Sequence, residues 1–108
     1  MSDRIRVNTL LDYYGALLTD RQRTICDYYY REDFSMSEIA DLEGISIAAV
    51  SDTIRKCKTE LEHYEQVLKC IQAHDARMQI YQQMKQEQSC ERYVSKLMHT
   101  ELIGGEYE

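Results

Sequence analysis

The side chains here that could act as nucleophile, base or metal ligand are three histidines, His63, His74 and His99, and four cysteines, Cys26, Cys57, Cys70 and Cys90. A nucleophile needs a base within hydrogen-bond reach, and no histidine is adjacent in sequence to a serine or cysteine in a way that pairs them. Cys70 and His74 share a helix face at a spacing of four, which suits two metal ligands, but no second pair completes a four-ligand set, so packing is expected there and no metal. The cysteines form no C-x-x-C pair and are read as reduced thiols, Cys57 as a small core residue. Glycine-rich phosphate loops, histidine-bearing metal motifs and nucleophile elbows are all missing, so neither enzymatic activity nor a cofactor is expected.

A second kind of chemistry is open to the cations. Arg21 and Arg23 form one cluster, Arg55, Lys56 and Lys58 another, and either could hold a phosphate backbone. The formal charge of -6 over 108 residues opposes it, because phosphate neutralisation supplies most of nonspecific nucleic-acid affinity. Solvated helix faces are the simpler reading of both clusters.

The elements that must position these groups read as helices. Proline is absent and the glycines are Gly15, Gly44, Gly104 and Gly105, so no breaker falls between Ile45 and Ile103. Residues 3 to 18 carry Ile5, Val7, Leu10, Leu11, Tyr14, Leu17 and Leu18 at helical spacing. Thr19 with Gln22 has the spacing of a capping box for a second helix, whose buried side holds Ile25, Cys26, Tyr28 and Tyr29. Tyr28, Tyr29 and Tyr30 cannot all face one way on a helix, so one or two are expected buried with the hydroxyl at the surface and the third exposed and open to stacking on a partner, with packing the simpler reading.

Ser35 with Glu38 repeats the capping-box spacing. A short helix from Met36 is expected, with Ile39, Ala40 and Leu42 as its apolar face and Gly44 as the left-handed residue that ends it. Ser46 can then cap the next helix at once. Helix, tight turn, helix is the helix-turn-helix pattern. The second helix runs on, since Val50, Ile54, Cys57, Leu61, Tyr64, Leu68 and Ile71 alternate spacings of four and three, a stripe of roughly 40 Å. A bend is placed at Ala73-His74-Asp75, and Ser89 is expected to cap a last helix bearing Tyr93, Val94, Leu97 and Met98 that ends at Gly104-Gly105. The stripe needs a cover. Glu60 and Glu65 would oppose one another in a parallel two-stranded coil, so the chain's own helices one, five and six are expected to supply it; a homodimer through another surface stays open.

The expectation is thus an all-α chain, 1–108 as a single domain, with the motif at about 35–56, one long helix and a C-terminal helical extension at about 74–103. No window approaches a membrane span and the start lacks an apolar signal core, so a soluble cytoplasmic protein with no membrane insertion is expected.

The run from Tyr14 to Lys56 resembles the YlxM family, small bacterial helix-turn-helix proteins whose motif is similar to region four of sigma factors. Tyr14-Gly15-Ala16-Leu17-Leu18-Thr19, Arg21-Gln22-Arg23, the tyrosines ending helix two, and Ser37-Glu38-Ile39-Ala40 ahead of Gly44 carry the likeness. The resemblance implies a cytoplasmic protein encoded near the signal recognition particle genes and acting in, or regulating, that pathway. It also marks two departures. Ile47 and Ala48 stand where the family commonly has Arg and Gln, and Glu43 stands where an apolar residue is usual.

Counting along the second motif helix, the residues free to face a groove are Ser46, Ile47, Ala48, Ser51, Asp52 and Arg55. Candidate nucleic-acid contacts are therefore Arg21, Arg23, Ser46, Ser51, Arg55, Lys56 and Lys58. Candidate protein contacts are Ile47 and Tyr30. Two functions follow from these sets: a DNA-binding regulator with weak sequence readout, or an interaction module for a protein or RNA component of the signal recognition particle.

Overall fold

Described residues of the computed structural model are 3–87 and 90–101, helical throughout apart from short links and without a strand. In chain order the elements are α1 (Asp3–Tyr14), a 3-10 turn (Gly15–Leu17), α2 (Asp20–Tyr30), α3 (Met36–Glu43), α4 (Ile47–Leu68), α5 (Cys70–Lys85) and α6 (Glu91–Thr100). The chain divides into two compact units, Met1–Leu68 and Lys69–Glu108.

In the first unit, Val7, Leu10, Leu11 and Tyr14 lie within two turns of α1 and are all buried, the spacing that puts four side chains on one stripe. The helix does not continue to residue 18 as periodicity suggests. It tightens at the buried Gly15 into the 3-10 turn, which leaves Leu17 54% exposed. Thr19 then opens α2 with both hydrogen bonds of a capping box, Thr19 Oγ1 accepting from Gln22 N at 3.2 Å and Gln22 Oε1 from Thr19 N at 3.0 Å. The last carbonyls of α2, which have no partner within their own helix, accept from α1. Arg4 Nη1 donates to Tyr29 O at 2.9 Å and Tyr30 O at 2.8 Å, and Asn8 Nδ2 donates to Tyr30 O at 3.1 Å.

Ser35 and Glu38 complete the second capping box, at 3.1 and 3.0 Å. Gly44 ends α3 at φ 68°, ψ 35°. Its N–H and that of Ile45 both return to Ala40 O, which closes the turn tightly. Ser46 Oγ accepts from Ala49 N at 3.0 Å and so caps α4. Ile39 and Ala40 are buried under α3, but Leu42 is not part of that face: it is 56% exposed, while Glu43 is half-buried. A helix of eight residues buries a narrow stripe, and Leu42 sits about 60° round from Ile39, far enough to miss it.

Val50, Ile54, Cys57 and Leu61 keep the long apolar stripe of α4 in the core, where α1 packs against that helix as expected and α2 and α3 supply the rest of the cover expected from helices five and six. Beyond Leu61 the stripe changes character. Leu68 is 53% exposed, and the buried residue of the last turns is Glu65, whose Oε1 accepts from the Tyr14 hydroxyl at 2.5 Å. A buried carboxylate is tolerated where a donor meets it. The helix stops at Leu68 and does not reach Ile71, because Lys69 takes a left-handed conformation at φ 56°, ψ 29°. The bend therefore falls before the place suggested at 73–75.

The second unit is a helical hairpin. Arg77 on α5 donates through Nε and Nη2 to Glu101 Oε1 at 2.8 and 2.6 Å, and His74 Nδ1 lies 3.3 Å from the same oxygen. These contacts bring the end of α6 to the first half of α5, so the two helices run antiparallel. The Arg77 guanidinium, with His74 behind it, holds the Glu101 carboxyl below the usual carboxylate range. Val94 on α6 is fully buried. Ser89 as a cap and Gly104-Gly105 as a terminator lie outside the described residues.

Candidate functional site

The second helix of the helix-turn-helix carries the candidate residues Ser46, Ile47, Ser51 and Arg55, all exposed. Val50 and Ile54 point into the core; Ala48, Ser51 and Arg55 are exposed on the far side of α4, and Ser46 and Ile47, a turn before Val50 and on its side of the helix, are exposed where the helix begins, with Asp52 half-buried. Ile47 is 53% exposed and does not shelter against the chain. Ser46 is exposed too, but its hydroxyl oxygen is occupied as the cap of α4.

The cations of this surface are already engaged. Asp52 pairs with Arg55 one turn on, and its other oxygen lies 3.0 Å from Lys56 Nζ. Hydrogen bonds from Lys56 and Arg55 hold the Asp52 carboxyl below the usual range. Lys58 is drawn away from the motif altogether, reaching Asp3 on α1 at 2.6 Å, and Arg6 forks onto Glu62 of α4 at 2.8 and 3.2 Å. Arg21 and Arg23, exposed in the first turn of α2, have no ion-pair partner among the described residues.

Charge along the motif is one-sided. From Glu32 to Ile54 the chain carries Glu32, Asp33, Glu38, Asp41, Glu43 and Asp52 with no lysine or arginine. Asp33 is answered by Arg4 at 3.0 Å and Asp52 by Arg55 and Lys56. Glu38 is held below the usual range by the backbone and hydroxyl of Ser35 in the capping box. Asp41 and Glu43 on α3 have no such partner among the described residues. In a motif docked on DNA, α3 crosses the phosphate backbone, and these carboxylates would meet it.

Tyr30 leaves the set of surface candidates. It is 6% exposed at the end of α2, its ring edge-on to Tyr29 at 5.0 Å, and burial pushes its hydroxyl pKa up to about 12. Tyr28 and Tyr29 are the half-exposed pair, Tyr28 stacked on Phe34 at 5.1 Å and 7°. Leu42 and Asp41 are exposed and Glu43 half-buried beside this surface. The run of carboxylates without a cation was visible in the sequence; the outward phase of Leu42 was not.

Among the described residues no three of His, Cys, Asp and Glu converge on a point that could hold a metal ion. Cys26 on α2 and Cys57 on α4 are both fully buried, and Cys57 Sγ donates to Gln22 O at 3.9 Å; the neighbouring Cys57 thiol and burial push Cys26 up, while the Cys26 thiol brings Cys57 down. No described helix is long and apolar enough to cross a membrane.

Comparison with known proteins gives one consistent answer. A family model described as "Putative helix-turn-helix protein, YlxM / p13 like" matches residues 1–101. The UPF0122 protein of Malacoplasma penetrans is 40% identical over 101 residues, covering 93% of this chain and 90% of its own length. The UPF0122 protein of Symbiobacterium thermophilum is 40% identical over 86 residues, 80% of each chain. The counterpart in Clostridium kluyveri is 46% identical over 72 residues, 67% of this chain and 65% of its own. The description names a motif and no reaction.

Proposed function

This chain belongs to the YlxM/p13-like helix-turn-helix family, and we propose that it is a cytoplasmic regulatory protein of the signal recognition particle pathway that works by protein contact through its motif. The link to that pathway is what the family resemblance implies. The observation that carries the mode of action is electrostatic: six carboxylates and no cation from Glu32 to Ile54, with Arg55 and Lys56 beyond them both tied to Asp52. Specific DNA readout takes several polar side chains on base edges, each good bidentate pair giving about 1–3 kcal/mol of discrimination. This helix offers Arg55 alone, and a groove would have to draw it from Asp52. A protein bearing basic groups meets the same surface favourably.

Arg21 and Arg23 favour a second reading, because they are exposed and uncommitted. Two arginines suffice for a weak, salt-sensitive grip on DNA or on the particle's RNA. One salt titration separates the readings, with the full chain against duplex DNA, the particle's RNA and the particle's protein component. Protein binding that survives physiological salt is expected, with DNA binding that falls away steeply and shows no preferred sequence. Enrichment of one duplex at nanomolar affinity would overturn the proposal.

A further inference from the structure

Two large aliphatic side chains stand in solvent on either side of the motif's turn. Leu42, in the last turn of α3, is 56% exposed, and Ile47, the first residue of α4, is 53% exposed. Between them Gly44 lies open: a Cβ built there would meet nothing within 4 Å. Ala48 is exposed as well. The rim of this surface is acidic, with Asp41 and Glu43 beside Leu42 and no lysine or arginine from Glu32 to Ile54.

We infer that the turn of the helix-turn-helix is a docking site for a basic amphipathic helix, whose aliphatic side chains cover Leu42 and Ile47 while its lysines or arginines meet Asp41 and Glu43. The inference rests on the protein-contact reading above and names the chemistry of the partner. Charge selects the occupant. An acidic segment would bring carboxylates against Asp41 and Glu43, and a second copy of the same turn would bring the same acids against themselves, whereas a basic helix satisfies the rim and the apolar centre together. Leu42 and Ile47 form the dry centre of the contact and the acids its wet edge, the usual division between affinity and orientation.

The test uses the full chain and a synthetic helix with leucine on one face and lysine on the other, beside a counterpart in which glutamate replaces lysine. Amide shifts on titration are expected to concentrate between Asp41 and Ala48 with the lysine peptide and to stay flat with the glutamate peptide. Leu42→Ser with Ile47→Ser should weaken binding about tenfold or more, without changing the thermal melt, since both positions are exposed. Asp41→Asn with Glu43→Gln should weaken it and flatten its salt dependence, while Asp75→Asn with Glu87→Gln, an equal charge change in the second unit, should leave it as it was.

Unaltered binding by the serine variant, or shifts spread over every acidic residue, would overturn the inference, as would an RNA hairpin that perturbs Asp41 to Ala48 more tightly than the lysine peptide. The particle's protein component separates this failure from that of the function. If it binds but is unaffected by the serine variant, the turn is not the site and the pathway role stands. If it fails to bind while the peptide titrates the turn, the site stands and the pathway role does not.

Discussion

Asp52→Asn tests whether internal ion pairing is what limits the grip of this motif on nucleic acid. Asp52 answers both Arg55 and Lys56, whose side chains are 69% and 63% exposed. Removing one carboxylate therefore frees two cations and deletes one repulsive charge. Exposed pairs of this kind contribute little to stability, so the fold should be unmoved. The effect on binding can be worked from counterion release. Each new phosphate contact steepens the dependence of log affinity on log salt by about 0.9. Over a fourfold change in salt, from about 50 to 200 mM, that is roughly 3.5-fold per contact and about twelvefold for two. The assay is anisotropy of a labelled random-sequence duplex at several salt concentrations. The variant should bind more tightly than the parent at low salt, with a slope steeper by about 1.8, and charge reversal at Arg21 and Arg23, the uncommitted cations, should remove what binding the parent has. A slope that stays the same, with an unchanged melt, would refute the reasoning, since Arg55 and Lys56 would then not be the groups withheld from phosphate.

Three further outcomes are expected from the core and the caps. Leu61→Ala, at a fully buried position, should cost about 3–4 kcal/mol and lower a urea midpoint by roughly 2 M, whereas Val67→Ala, 62% exposed, should leave it within error; equal effects would mean that the stripe has been placed on the wrong face. Tyr14→Phe takes the hydroxyl from the buried Glu65 carboxylate and should cost about 1–3 kcal/mol, with a null result showing that the bond is dispensable. Glu38 has its pKa lowered in the folded chain from an ordinary value of 4.5, so the unfolded chain binds its proton first as pH falls. Its contribution is present above that value and lost as pH drops through the lower folded one, and Glu38→Gln should flatten the acid limb of a melt followed over that window.

What could be read along the chain was the chemistry that closes within a turn. The capping boxes at Thr19 and Ser35, the left-handed Gly44 and the Ser46 cap each join groups three or four residues apart, so spacing alone carries them, and with them the helix-turn-helix. The apolar stripe from Val50 to Leu61 was legible for a similar reason, since a period sustained over several turns has one phase. Leu42 was not, because in eight residues a small change of phase moves a side chain from core to solvent. Glu65 is charged and looks like a surface residue until Tyr14, 51 positions away, supplies the donor that lets it be buried. Lys58 reads as part of a basic cluster until Asp3 draws it aside. Lys69 shows the limit most plainly. A left-handed lysine costs roughly 1–2 kcal/mol and nothing in Leu68-Lys69-Cys70 favours it, so a reading by local preference runs the helix straight through the place where the three-dimensional structure ends it.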